Sequence, residues 1–220
     1  MPDVIFVGPE GRLEGRYHPG PDDAAPVALV LHAHPKGGGS MNDPVVLSLF
    51  EMFKARDFAV LRFNFRGVGR SQGVYDQGLG ELSDAAAALD WMQTFNANAP
   101  FCWVAGYSFG AWIGMQLLMR RPEVRGFLSI CPPMNLYDFS FLAPCPASGL
   151  VISGTADQVV PNEEIERTVA KIRTQKDISI DHQKITGANH FLNEHIDELS
   201  TRCSSYLDKR LTALRAELAG

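Results

Sequence analysis

From about residue 25 onward, short apolar runs alternate with stretches whose apolar residues recur at helical spacing. That alternation is the mark of βα units, in which parallel strands are joined by helices that cover the sheet. Strands are expected at Val27–His32, Ala59–Phe65, Cys102–Gly106, Gly126–Ile130, Gly149–Ser153 and Ile178–Ile185. Most of these runs are continuously apolar, as strands buried on both faces should be. Ahead of them, Val4–Val7 and Leu13–Tyr17 flank Gly8-Pro9-Glu10-Gly11, which reads as an antiparallel hairpin. The expected architecture is α/β: a mostly parallel central sheet with an N-terminal antiparallel hairpin and helices on both faces. With 220 residues, 45% of them hydrophobic, the chain can bury a substantial core, and one domain spanning 1–220 is the expectation.

Helix starts are marked by capping residues. Asp43 can cap a helix with Pro44 at its first position and Leu49, Phe50 and Phe53 on its apolar face. Ser83 is expected to cap the next, which runs through Ala85–Ala88 to Trp91. After Pro161, residues Ile165, Val169 and Ile172 share one face, and Leu199, Cys203, Leu207, Leu211, Leu214 and Leu218 stripe the last helix. No repeat, low-complexity segment or linker divides the chain.

Charge and cysteine usage remove several function classes. A net charge of −5 without a basic cluster gives no pull toward nucleic acid. Cys102, Cys131, Cys145 and Cys203 show no C-x-x-C spacing and sit in apolar surroundings, so buried thiols are expected. Met1-Pro2-Asp3-Val4 lacks the basic start and long apolar region of a secretory signal, which makes a cytoplasmic location the expectation. Phe101–Met119 carries no charge, and Gly106, Gly110 and Gly114 imitate the spacing of packed membrane helices. Ser108, Gln116 and the glycines dilute that run, however, and a strand followed by a buried helix accounts for it without a bilayer.

That strand-to-helix junction carries Gly106-Tyr107-Ser108-Phe109-Gly110, a G-x-S-x-G arrangement. A serine on so sharp a turn takes a strained conformation that exposes its hydroxyl, and the flanking residues two away must be small. The helix that follows offers an unpaired N–H, from Phe109, and the positive end of its dipole. Because a serine hydroxyl is a poor nucleophile at neutral pH, it needs a histidine base and an acid to orient the imidazole. On such a sheet the chain order is serine, acid, histidine. His182 lies within a strand and His195 near the last helix, which leaves His190, in the loop Gly187–Phe191, as candidate base. Asp157, in the turn after Gly149–Ser153, is the candidate acid, with Asp138 in reserve.

A second oxyanion donor should come from the loop His32-Ala33-His34-Pro35-Lys36-Gly37-Gly38-Gly39, where Pro35 cannot donate. The N–H of His34 is the first candidate and that of Lys36 the second. His32 and His34 could instead be read as metal ligands, but no downstream ligand cluster supports a metal. The loop Phe65–Gly73 superficially resembles a dinucleotide fingerprint and fails it, because Gln72 stands where the third glycine belongs. Arg66, Arg70 and Asp76 are expected to order that loop.

These motifs resemble the α/β-hydrolase superfamily from about Val27 onward. Within it the chain is similar to compact bacterial hydrolases, mostly of undetermined substrate, with an H-x-H-P-x-x-G-G loop (His32–Gly38 onward), an F-R-G-x-G-x-S-x-G loop (Phe65–Gly73) and G-x-S-x-G. The resemblance implies Ser108 as nucleophile, Asp157 as acid, His190 as base, and oxyanion donors from His34 and Phe109. The chain is also similar to dienelactone hydrolases, which use cysteine, so serine here points to ester substrates. Cys131–Ser148 leaves room only for a short loop where larger members insert a lid, and Leu136, Tyr137, Phe139, Phe141 and Leu142 could wall an acyl site, although core packing explains them equally well. The expected activity is hydrolysis of a small carboxylic ester or thioester without cofactor or metal. The partner is a small acyl substrate, with no nucleic acid or membrane, and a homo-oligomer is compatible with the sequence. The alternatives are an amidase or peptidase and a catalytically silent binding protein on the same fold.

Overall fold

The computed structural model describes residues 3–173 and 178–219, the side chains of 215 and 217–219 excepted. The strands are β1 (Asp3–Gly8), β2 (Gly11–His18), β3 (Val27–Leu31), β4 (Ala59–Phe63), β5 (Cys102–Tyr107), β6 (Val124–Ile130), β7 (Gly149–Gly154) and β8 (Ile180–Ile185). The helices are α1 (Pro44–Lys54), α2 (Leu79–Phe95), α3 (Phe109–Leu118), α4 (Asn162–Ile172) and α5 (Ile196–Ala219). All the strands join one sheet in the order β1-β2-β4-β3-β5-β6-β7-β8. β1 and β2 form the expected hairpin, β2 runs antiparallel to β4, and every later pairing is parallel.

The continuously apolar strands occupy the middle of the sheet, where each successive side chain meets a covered face. In β3, Leu29 and Leu31 join a core that takes Leu82, Leu89 and Met92 of α2, Ile113 and Leu117 of α3, and Ile165, Val169 and Ile172 of α4. Ala28 and Val30 point the other way, into a core built with Leu49, Phe50 and Phe53 of α1 and Leu199, Cys203, Leu207, Leu211 and Leu214 of α5. Leu218 lies outside the described side chains. All four cysteines are buried. The uncharged run Phe101–Met119 divides into β5 and α3, and among the described residues no helix is long and apolar enough to cross a membrane.

Capping follows expectation at α1, where Asp43 Oδ1 accepts the Val45 N–H at 2.9 Å. At α2 it does not. That helix begins at Leu79, and Glu81 closes its first turn by accepting the N–H groups of Gly78 (2.7 Å) and Asp76 (2.9 Å). Ser83 lies a turn inside, where its hydroxyl donates back to the Leu79 carbonyl at 3.1 Å. Between β6 and β7 the chain makes only a loop with a 3-10 turn at Ser140–Leu142, and no lid is built there.

Candidate active site

Ser108 joins β5 to α3 with φ +52° and ψ −116°, a conformation costly for a residue with a Cβ. The two glycines of the motif permit the turn. A Cβ on Gly106 would lie 2.2 Å from the Gly110 carbonyl oxygen, and one on Gly110 would lie 2.4 Å from that of Leu31. The start of α3 therefore sits directly against the end of β3. The Ser108 N–H donates to the Ile130 carbonyl of β6 at 2.8 Å, which ties the turn to the neighbouring strand.

The three side chains singled out from the sequence meet in one hydrogen-bonded series. Ser108 Oγ lies 2.9 Å from His190 Nε2, and His190 Nδ1 lies 2.7 Å from Asp157 Oδ2. Asp157 Oδ1 accepts the N–H groups of Val159 (2.8 Å) and Val160 (2.9 Å). Burial alone pushes the Asp157 carboxyl up, but the hydrogen bonds from His190 and from these two amides outweigh it and hold it below the usual carboxylate value. A carboxylate facing Nδ1 places the imidazole proton there and leaves Nε2 as an acceptor for the serine proton. Tyr107 adds a contact the sequence reading missed: its hydroxyl donates to the His190 carbonyl at 3.0 Å.

The other candidates lie elsewhere. Asp138 is exposed and accepts the N–H (2.8 Å) and hydroxyl (2.9 Å) of Ser140. His182 Nε2 lies 3.0 Å from the hydroxyl of Ser153, on β7. Neither His32 nor His34 presents a ring nitrogen for a metal. His32 Nδ1 meets the Ala33 carbonyl at 2.6 Å and Nε2 accepts the Phe65 N–H at 3.0 Å. His34 Nδ1 accepts the Lys36 N–H at 3.1 Å, and its Nε2 lies 3.1 Å from the Tyr75 hydroxyl. Among the described residues, Cys131, Asp157 and His190 also bring ligand-type atoms within 4.8 Å of one another, but Asp157 and His190 already engage each other there.

Because His34 takes up the Lys36 N–H, the two oxyanion candidates separate. The N–H groups of His34 and Phe109 donate to no protein acceptor among the described residues, and both residues line the cavity that holds Ser108 and His190. This cavity, about 320 Å³, is walled by Pro133, Leu136, Tyr137, Val159 and Phe191. Leu136 and Tyr137 thus occupy the wall expected of them. Phe139 and Leu142 are buried in the hydrophobic core and Phe141 packs against it, because the 3-10 turn aims them inward.

The Phe65–Gly73 loop is braced from two sides. Arg66 makes a bidentate pair with Asp84 of α2 at 3.0 and 2.8 Å, and its own N–H reaches the same carboxylate at 3.0 Å. Arg70 donates to Glu14 of β2 through Nε at 2.7 Å, and Asn64 donates to the same carboxylate at 2.8 Å. Among the described residues, Asp76 joins only through its backbone.

A family model described as "Alpha/beta hydrolase family" matches residues 28–147. An uncharacterized protein of Rickettsia prowazekii is 48% identical over 211 residues, covering 94% of this chain and 89% of its own. The crystal structure of an Agrobacterium tumefaciens protein of unknown function superposes with a TM-score of 0.95 at 59% identity, covering 96% of this chain and 97% of its own. A Xanthomonas campestris protein described as an α/β serine hydrolase without a lid gives 0.84 at 29% identity, covering 94% of each chain.

Proposed function

The chain belongs to the alpha/beta hydrolase family, and on that premise we propose that it is a serine hydrolase cleaving a small carboxylic ester or thioester through an acyl-enzyme on Ser108. The observation that carries this reading is the unbroken series Ser108–His190–Asp157, at 2.9 and 2.7 Å, opening on a cavity. The serine hydrolase description of the Xanthomonas campestris relative supports the reaction class.

In this scheme Ser108 Oγ attacks the substrate carbonyl carbon as His190 Nε2 takes its proton, and Asp157 stabilises the imidazolium. The carbonyl oxygen becomes the oxyanion and accepts from the N–H groups of His34 and Phe109, with the N-terminal dipole of α3 adding to the field. When the tetrahedral species collapses, the C–O or C–S bond breaks and the leaving alkoxide or thiolate takes the proton from Nε2. Water then repeats the sequence on the acyl-enzyme, giving up its proton to His190 and returning it to Ser108. No cofactor enters. A cavity of about 320 Å³ with an apolar wall suits a small acyl group.

A fluorophosphonate probe should label the wild type and leave Ser108→Ala unlabelled. A panel of chromogenic esters, thioesters and amides graded in chain length should show ester or thioester turnover that the variant lacks. Equal rates for the two proteins would remove Ser108 from the reaction, and a preference for amides would replace the ester reading.

A further inference from the structure

The peptide unit that joins Ala33 to His34 is held from its carbonyl side. His32, with no exposed surface, follows β3 directly and makes the two hydrogen bonds described above. Because Nε2 accepts the Phe65 N–H, the neutral ring must carry its proton on Nδ1, and that proton goes to the Ala33 carbonyl at 2.6 Å. Gly39 also packs closely against that oxygen, since a Cβ there would come within 2.2 Å of it. The Ala33 carbonyl is therefore fixed in direction. In a planar trans peptide the C=O and the following N–H point opposite ways. Fixing the Ala33 oxygen toward His32 thus fixes the His34 N–H away from it, and that N–H, like that of Phe109, has no protein acceptor among the described residues and belongs to a residue lining the Ser108 cavity.

Resting on the serine hydrolase reading, we propose that the His32 side chain is a positioning residue for the oxyanion site, orienting the His34 N–H through the Ala33 carbonyl. It touches no substrate. The strand end alone cannot do this, since β3 pairing stops at Leu31 and the next regular element is a three-residue 3-10 turn that opens with Pro35, which has no N–H. The anchor comes instead from β4's side of the sheet, through the Phe65 N–H that dictates which nitrogen of His32 is the donor.

Three variants separate orientation from packing. His32→Leu fills the space without a donor. His32→Gln can still accept from Phe65 but has no donor near Ala33. His32→Asn places an amide NH2 where Nδ1 stands and restores that donor. Removing a single oxyanion donor elsewhere costs about two to three decades in kcat, and misdirecting one should cost about one to two. The expected result is a kcat about 10- to 100-fold lower for His32→Leu and His32→Gln with KM within about twofold, a parallel loss of affinity for a trifluoromethyl ketone whose hemiketal oxygen occupies the oxyanion position, and recovery of most of both in His32→Asn. If His32→Leu does not fold, His32→Gln carries the same comparison. Unchanged kcat in the folded donorless variants, or equal loss in His32→Asn, overturns the proposal while leaving an active Ser108 in place. A wild type inert toward the phosphonate and every ester overturns the proposed function and this inference together.

Discussion

His32 also makes the fold sensitive to acid, and the size of the effect follows from its surroundings. Complete burial, partly opposed by the Ala33 carbonyl and assisted by the nearby His34, brings its pKa from the ordinary 6.5 down to about 4. As pH falls, the unfolded chain takes up a proton at this residue near pH 6.5, whereas the folded chain resists until about pH 4. Stability is therefore present above pH 6.5 and is lost on the way down to about 4. At about 1.4 kcal/mol per pH unit the whole gap is about 3 kcal/mol, and about 2 kcal/mol of it should be gone by about pH 4.5. Against a total stability of about 5–15 kcal/mol this is measurable by urea unfolding at about pH 7 and about pH 4.5. His32→Asn is the control: it sets an offset at both pH values but has no ring to titrate, so the wild type should lose about 2 kcal/mol more than the variant between them. Equal losses in the two proteins, or a His32 NMR resonance titrating near pH 6.5, would refute the reasoning.

Two further substitutions test the site and its support. Asp157→Asn leaves Nδ1 facing an amide that no longer requires a proton there, and should lower kcat by about three to four decades with little change in KM, read by steady-state kinetics; a loss under tenfold would take the orienting role away from Asp157. Asp84→Ala strands Arg66, which is only 4% exposed, as a buried cation without its bidentate partner, and should cost about 3–5 kcal/mol in urea unfolding; a cost under about 1 kcal/mol would mean that water reaches the guanidinium.

Much of this molecule is legible in its sequence because its information is local. The apolar runs of β3, β5 and β7 place the sheet, and the two glycines around Ser108 place the turn, since each position reports a constraint met by its chain neighbours. Asp157 and His190 are legible through chain order and their location just after strands. The start of α2 is misread because two capping residues compete there, and Glu81, which reaches back to two amides, outweighs a serine that satisfies its hydroxyl on the preceding turn. For Phe139, Phe141 and Leu142 the sequence leaves cavity wall and core packing equally open, because composition does not say which way a 3-10 turn aims them. The bonds of His32 to Phe65, Arg66 to Asp84 and Tyr107 to His190 join residues 33, 18 and 83 positions apart, and no local pattern announces them.

The bond from Tyr107 to the His190 backbone has a dynamic consequence. Tyr107 ends a central strand directly before Ser108, whereas His190 rides on a loop, the kind of segment that ordinarily drifts independently of a sheet. Fastening that loop's carbonyl to the residue next to the serine ties the loop to the sheet, so that in the proposed mechanism the two partners of the proton transfer should move together. Displacement of the loop should then change the 2.9 Å Ser108–His190 separation little, in a site that no lid covers.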